Sequence, residues 1–369
     1  MKLELILFIA FFLFFLIQIF YYTLVFIKTI FYKKKELKKI PHEPVSIIIC
    51  AKNEAENLEN FLTSILEQNY PKFEVIVVND GSTDDTKEVL EKYQEKYSNL
   101  YTTFIKKINI KHSKKLAVTI GIKAANYEWL LFTDADCFVK TKNWLSSMQK
   151  NFTKKTEFVI AYGAYEKTNS FLNKIIRFDT VFIAIQYFNF ALWKIPYMGV
   201  GRNLAHRKTK FFKYRPFDKN MDLISGDDDL YVNEFANSKN TKIELNPESF
   251  TYSKSKTKFF KWIAQKQRHL TTGKRYKLKH KILLGGEFIS RFLFYFLFLF
   301  LFFLKFKIEY LLILFFVRAI VQFLIVFFNM KRFKEKDLIY FVILFDIILL
   351  LINFAIIFIN FFKKKHKWK

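Results

Sequence analysis

The chain has 369 residues, a formal net charge of +27 and a hydrophobic content of 52%, with 48 phenylalanines. A strongly basic balance suggests a nucleic-acid partner, but the sequence has no recognised nucleic-acid module and its lysines form no continuous stripe, so we expect none. The alternative explanation of the basic charge is a codon bias that enriches Lys together with Phe, Ile and Asn. Cys50 and Cys137 are too few for a disulfide framework and indicate a reduced, cytosolic domain.

The N-terminal segment, residues 1–32, is predicted to be a transmembrane anchor. Its apolar run over residues 5–31 is long enough to span about 30 Å of hydrocarbon and has no small-residue cleavage site. The run ends in KKKELKK at residues 33–39, where anionic lipid headgroups would attract the lysines. By the positive-inside rule, the following domain is cytosolic at the inner membrane.

In the middle segment, residues 40–275, strands and helices alternate. Two β-branched runs, residues 45–50 and 73–78, are typical of strands buried on both faces of a parallel sheet, and each precedes an amphipathic segment. This order predicts a Rossmann-like α/β sheet, in which ligands bind at the carboxyl ends of the strands. The polar loops 52–54 and 79–85 are expected at that edge.

A third apolar strand, residues 127–132, leads directly into Thr133-Asp134-Ala135-Asp136. Two carboxylates two residues apart at a strand end can share Mg²⁺ or Mn²⁺, with water and substrate phosphates completing the shell. Such a pair also arises by chance or by helix capping. In this context we predict a metal site at Asp134 and Asp136.

Three adjacent acids, Asp227 to Asp229, precede an amphipathic helix. Their mutual repulsion would raise the pKa of one of them, and the positive end of the helix dipole would also favour them there. Further on, Gln265, Lys266, Arg268 and Lys274 form a basic group. That group is interpreted as part of a site, as a solvated face or as a lipid contact.

An aromatic stretch over residues 178–201 is interrupted by Asp179, Gln186 and Lys194, and is therefore not expected to span. An interfacial helix that sets the acceptor site at the membrane surface is the favoured interpretation, and a buried core helix is the alternative.

The C-terminal region, residues 283–362, is predicted to hold about three transmembrane helices, over 283–304, 308–328 and 338–362. Four spans in total would put the basic tail outside, against the charge rule, so one segment lies in the interface or the tail is an exception. Arg318 and Asp346 fall inside the spans, as functional groups or as packing groups.

Taken in order, several segments resemble the inverting family 2 glycosyltransferases, which have a GT-A fold. They cover about residues 44–273 and read VSIIICAKNEAENL, VIVVNDGSTDDT, SKKLAVTIGIKAA, LLFTDADC, GVGRNLAHRK, SGDDDL and QKQRH. Each motif alone is weak, whereas seven in register are specific. The resemblance implies a GT-A nucleotide-diphospho-sugar transferase domain joined to transmembrane helices.

The resemblance also implies roles for individual residues. For the donor these are Glu54, Asp80, Lys114, Asp134, Gln265 and Arg268. Asp134 and Asp136 match the metal-binding D-x-D, and Asp228 matches the general base in an acid pair with Asp227. Gln265 and Arg268 match Q-x-x-R-W, which closes over the donor diphosphate in membrane-bound members.

Four departures from the family pattern stand out. His269 replaces the usual Trp, which puts processive polymer binding in doubt. Ser113 replaces a Gly, Thr119 stands where Asn is common, and Asn79 replaces a frequent acid. None of them removes a catalytic carboxylate. The expected partners are a nucleotide-diphospho-sugar, a lipid-linked or cell-envelope glycan acceptor and membrane lipids. The alternatives are a processive, polymer-exporting synthase, a transporter, and a non-catalytic scaffold.

Overall fold

A computed structural model describes residues 2–33, 42–105, 114–221, 223 and 225–362. Ser113, most of the lysine run at 33–39 and the basic tail lie outside the described residues. The helices are α1 Lys2–Phe20, α2 Lys28–Phe31, α3 Ala55–Leu66, α4 Thr86–Lys96, α5 Lys114–Ala124, α6 Trp144–Gln149, α7 Phe171–Leu192, α8 Lys208–Tyr214, α9 Asp229–Phe235, α10 Phe259–Leu270, α11 Leu278–Phe303, α12 Ile308–Arg332 and α13 Val342–Phe362. The strands are β1 Val45–Ala51, β2 Phe73–Asn79, β3 Leu100–Phe104, β4 Trp129–Asp134, β5 Cys137–Val139, β6 Phe158–Ile160, β7 Gly163–Tyr165, β8 Leu204–Arg207, β9 Thr241–Ile243 and β10 Thr251–Ser253.

The chain forms two compact units. The α/β unit comprises Lys34–Asn169 and Lys194–Thr257, and the helical unit comprises Met1–Lys33, Ser170–Trp193 and Lys258–Lys369. These boundaries differ from the predicted middle domain, residues 40–275, because α7 and α10 group with the long apolar helices.

The α/β unit is built on a seven-stranded sheet in the order β3-β2-β1-β4-β8-β6-β9. Strands β1 to β4 are parallel to one another, and β8 is antiparallel to both β4 and β6. The β-branched run of β1 is buried on both faces, as predicted. Helix α3 packs on this sheet through its apolar stripe, and its residues Leu58, Leu62 and Ile65 belong to the same hydrophobic core as the strands. The predicted α/β fold is confirmed.

A smaller sheet in the order β5-β10-β7 lies in the same unit. Strand β5 begins immediately after Asp136, and β10 pairs with it in antiparallel register. This sheet therefore holds the chain on the far side of the two predicted metal ligands.

Among the described residues, five helical segments are long and apolar enough to cross a membrane: Lys2–Phe31, Phe171–Leu192, Leu278–Phe303, Ile308–Arg332 and Lys336–Asn360. Four of them fall where the sequence predicted spans. The additional segment is α7, which begins before the predicted stretch at residues 178–201 and ends at Leu192.

Helix α7 is mostly buried within the helical unit, which fits the buried-helix alternative. The sequence rejected it as a span because of its polar residues. Those residues have partners inside the unit: Asp179 binds Lys266, and Gln186 Nε2 lies 3.4 Å from an oxygen of Glu287. Lys194 lies beyond the end of the helix.

A buried polar cluster links the helices of this unit. Arg318 lies in its centre and donates to the Tyr295 hydroxyl at 2.6 Å, to Gln18 at 3.0 Å and to Asp346 at 3.2 Å. Arg291 donates to the other oxygen of Asp346 at 2.7 Å. Arg318 and Asp346, predicted inside spans, are therefore bound to each other, as the packing interpretation requires.

We expect Asp346→Ala to lower the free energy of unfolding of the helical unit by about 3–5 kcal/mol, because it leaves two buried guanidinium groups without their shared carboxylate. Unfolding by SDS titration in detergent micelles measures the change. The matched control is Glu309→Ala, which removes an exposed carboxylate from α12 and should change the free energy by less than about 0.5 kcal/mol. Equal effects of the two variants would contradict the assignment.

Candidate active site

The predicted polar loops meet at one edge of the large sheet. In the register of the parallel strands, Cys50 lies opposite Asp134 and Ala51 lies opposite Asn79. Strands β1, β2 and β4 therefore end at the same level. The loops that follow them hold Glu54, Asp80 and Asp136.

The first two loops are joined by hydrogen bonds. The backbone N–H of Asn53 donates to the Ser82 hydroxyl at 2.9 Å, and its side-chain oxygen accepts from the backbone N–H of Thr83 at 2.8 Å. Asp84 accepts from the backbone N–H of Ala55 at 3.1 Å. Asn53 adopts a left-handed backbone conformation, with φ at 57°, which asparagine tolerates better than most residues.

Each of these loops contributes one predicted donor-binding acid. Asp80 is buried, and one of its oxygens lies 3.9 Å from the Lys52 ammonium. Glu54 accepts from the Asn57 side chain at 2.6 Å. Burial, together with the charges of Asp136 and Asp134, raises the pKa of Glu54.

The third loop holds the predicted metal ligands. Asp134, Asp136 and Cys137 each place one ligand atom within 4.8 Å of the others, a spacing that a single cation can bridge. Burial and the charge of Asp134 raise the pKa of Asp136. Burial also raises the pKa of the Cys137 thiol, which favours the two carboxylates as ligands. Two neighbouring carboxylates that repel each other are suited to bind a hard divalent cation between them.

Lys114 connects this loop to the acid triplet. Its ammonium lies 2.9 Å from an oxygen of Asp134 and 3.4 Å from an oxygen of Asp227. Burial alone would lower the pKa of Lys114, but the charges of Asp134, Asp227 and Asp228 raise it well above its usual value. The lysine is therefore a fixed positive charge among the acids.

Asp228, the predicted base, is held by two backbone donors. One of its oxygens accepts from the N–H of Asp229 at 2.7 Å, at the start of α9, and the other accepts a short hydrogen bond from the N–H of Gly201. A Cβ at Gly201 would lie 2.9 Å from that oxygen, so a side chain there would force the Asp228 carboxylate to shift. Burial and the charges of Asp227 and Asp229 raise the pKa of Asp228 to about 8.

Several of these groups line one pocket of the α/β unit. Its charged lining residues are Lys114, Asp134, Asp227 and Asp228. The same pocket is lined by apolar side chains and by His206, whose pKa is lowered to about 3 by burial. The pocket therefore combines a charged group of side chains with neutral ones.

Arg202 lies inside the GVGRNLAHRK motif, but no role was predicted for it from the sequence. Its guanidinium packs over the ring of Tyr165 and donates to the Ser253 hydroxyl at 3.1 Å. A Cβ at Gly163 would lie 2.5 Å from its Nε, so the arginine occupies the space of a missing side chain. Arg202 lowers the pKa of Asp136, partly offsetting the effects of burial and of Asp134. A glycine at position 163 does not indicate, in the sequence alone, that Arg202 packs against it.

The remaining predicted donor residues, Gln265 and Arg268, lie in the helical unit on α10. They are three residues apart and so share one face of that helix. His269, which replaces the family's Trp, is exposed next to Arg268. Lys274 lies on the 3₁₀ turn that follows.

A family model described as "Glycosyl transferase family 2" matches residues 46–215. Curated relatives include the poly-beta-1,6-N-acetyl-D-glucosamine synthases of Staphylococcus epidermidis, 31% identical over 117 residues, and of Staphylococcus aureus strain COL, 31% identical over 107 residues. These matches cover 31% and 29% of this chain, and they span about a quarter of the length of the relatives, 27% and 25%.

Among solved structures, a mannosyltransferase from Pyrobaculum calidifontis in complex with GDP-Man and Mn²⁺ matches with a TM-score of 0.58 and 18% identity. The match covers 79% of this chain and 84% of that one. At this identity the likeness concerns the fold, and it confirms the GT-A architecture predicted from the motifs.

We expect Lys114→Met to strengthen Mn²⁺ binding on the order of tenfold, because it removes a positive charge adjacent to Asp134. Electron paramagnetic resonance of free Mn²⁺ measures the dissociation constant without any sugar. Asp134→Asn should abolish the site, and Lys87→Met, a change of an exposed lysine on α4, is the matched control. Weaker binding to Lys114→Met would contradict the assigned geometry.

Proposed function

We propose that this chain, a glycosyltransferase with a family 2 domain at residues 46–215, moves a sugar from a nucleotide-diphospho-sugar to a lipid-linked or cell-envelope glycan acceptor. The proposed reaction is a single displacement with inversion. The supporting observation is the convergence of Asp134, Asp136, Lys114 and Asp228 on one site of the α/β unit.

The donor end of the site would bind the nucleotide and the diphosphate. We assign Asp80 and Glu54 to the nucleotide side, by their resemblance to the family motifs and by their position on the two joined loops. Mg²⁺ or Mn²⁺ bound by Asp134 and Asp136 would neutralise charge on the diphosphate. Lys114 would stabilise the same charge as it grows on the leaving group. A uridine diphosphate sugar is the proposed donor.

The acceptor end depends on Asp228. An acceptor hydroxyl must lose its proton as it attacks the anomeric carbon, and a positioned carboxylate can take that proton. The N–H groups of Gly201 and Asp229 orient the Asp228 carboxylate, and Asp227 holds Lys114 beside it. A pKa near 8 makes Asp228 a stronger base than an exposed aspartate, at the cost of its being mostly protonated at neutral pH.

The helical unit supports a membrane location. We propose a multi-pass protein of the inner membrane with its α/β unit in the cytosol. The five long apolar segments and the lysines at residues 33–39 support this arrangement. Gln265 and Arg268 on α10 are assigned to the donor diphosphate by their match to Q-x-x-R.

Processive synthesis is the second candidate. It is favoured because the curated relatives are named as synthases of a polymer. His269 counts against it, since the family has an aromatic Trp at that position. The length of the product formed from one acceptor distinguishes the two.

Donor binding tests the assigned donor site. We expect the detergent-solubilised chain to bind one member of a panel of nucleotide-diphospho-sugars in the presence of Mn²⁺, measured by calorimetry. Asp134→Ala/Asp136→Ala should lose that binding, because both proposed ligands are gone. Folded protein that binds no donor under any condition would favour the scaffold hypothesis.

The pH dependence tests the base. A group with a raised pKa keeps its proton until the pH reaches that value, so the basic form of Asp228 accumulates as the pH rises. We expect kcat/KM for the acceptor to increase roughly tenfold from pH 7 to pH 9, the change in the ionised fraction for a pKa of about 8. Asp228→Asn should abolish transfer but keep donor binding.

A second variant checks the cause of this shift. Asp227→Asn removes a charge that raises the pKa of Asp228. The rise of kcat/KM with pH should therefore occur at lower pH in this variant. A flat profile for the unaltered chain, or an active Asp228→Asn variant, would remove Asp228 from the proposed role.

A further inference from the structure

A buried ion pair links helix α10 to α7 within the helical unit. Lys266 donates to both carboxylate oxygens of Asp179 on α7, each at 2.7 Å. Both side chains are about nine-tenths buried. A lysine and an aspartate are buried this completely only when they are paired, so this contact is specific to one arrangement of the two helices.

The pair fixes the rotation of α10 about its own axis. Trp262, one turn before Lys266, is also buried, and these two residues form the inward face of the helix. Gln265 and Arg268 lie on a more exposed face. Because successive residues are about 100° apart around a helix, anchoring Lys266 determines where Gln265 and Arg268 point.

We propose that Lys266 and Asp179 are positioning residues for sugar transfer: their ion pair aims Gln265 and Arg268. This inference rests on the proposed function, in which those two residues act on the donor diphosphate. Apolar side chains of similar size could fill the same space, but they would lack the two directional hydrogen bonds. The ion pair therefore supplies orientation that packing alone does not.

Stability and orientation can be separated experimentally. Asp179→Leu/Lys266→Met removes both charges and leaves apolar packing, a replacement that is often neutral or stabilising for a buried ion pair. We expect its melting temperature to equal or exceed that of the unaltered chain. We expect its kcat to fall about tenfold or more, with a smaller change in donor KM, because small misplacement of a positioned group is costly.

The exchanged pair provides the rescue. Asp179→Lys/Lys266→Asp restores an ion pair between the same positions and should recover most of the lost kcat. The matched control is Glu335→Gln, which weakens another buried ion pair on α7, between Arg177 and Glu335. Arg177 keeps Asp337 at 2.7 Å, and this control should leave kcat per folded molecule within about twofold.

Hydrogen–deuterium exchange in lipid nanodiscs tests the arrangement without any sugar. Amides of Phe259–Leu270 should exchange at least tenfold faster in Asp179→Leu/Lys266→Met, while those of α11 stay unchanged. Unchanged exchange would overturn the anchoring of α10, even if the chain transferred no sugar. Faster exchange with undiminished kcat would overturn the positioning role and leave the transferase proposal standing.

Discussion

Repulsion among carboxylates is the constraint on which the α/β unit depends. The parallel strands end at one level, and the loops after them, together with the start of α9, bring several acids to one edge of the sheet. Without compensation these charges would oppose folding. Lys114 and Arg202 supply compensation from within the chain, and a divalent cation bound by Asp134 and Asp136 would add to it.

The helical unit meets the opposite problem, since its charges lie among apolar side chains. Two carboxylates, Glu287 and Asp346, balance the charges of Arg291 and Arg318. Gln18 and Tyr295 provide further hydrogen bonds. A separate ion pair joins α7 to α10. In both units some of the charges lie beside opposite ones: Lys114 beside Asp134 and Asp227, and Arg318 beside Asp346.

The sequence predicted those features that depend on local pattern. The buried strands β1, β2 and β4 followed from β-branched runs, and the acids at their ends followed from the rule that such sheets bind ligands there. Four long apolar segments were likewise evident from composition. The resemblance to a family then grouped the proposed base and the proposed metal ligands in one functional set.

Features that depend on contacts between distant segments could not be predicted in this way. Lys114 approaches Asp227 across more than a hundred residues, and Arg202 fills space left by Gly163; neither spacing forms a local pattern. The burial of helix α7 was only an alternative in the sequence for the same reason. Asp179 and Gln186 interrupt its apolar pattern, and their partners lie far along the chain.

The contact between Gly163 and Arg202 has a consequence for how such a sequence can diverge. Any side chain at position 163 would displace the guanidinium, because an added Cβ would come within 3 Å of three of the arginine's atoms. Loss of the arginine would in turn leave a gap above β7 and remove a positive charge near Asp136. Positions 163 and 202 should therefore covary among descendants of this chain. A long side chain at position 202 requires glycine at position 163, and a side chain at position 163 requires a shorter residue at position 202.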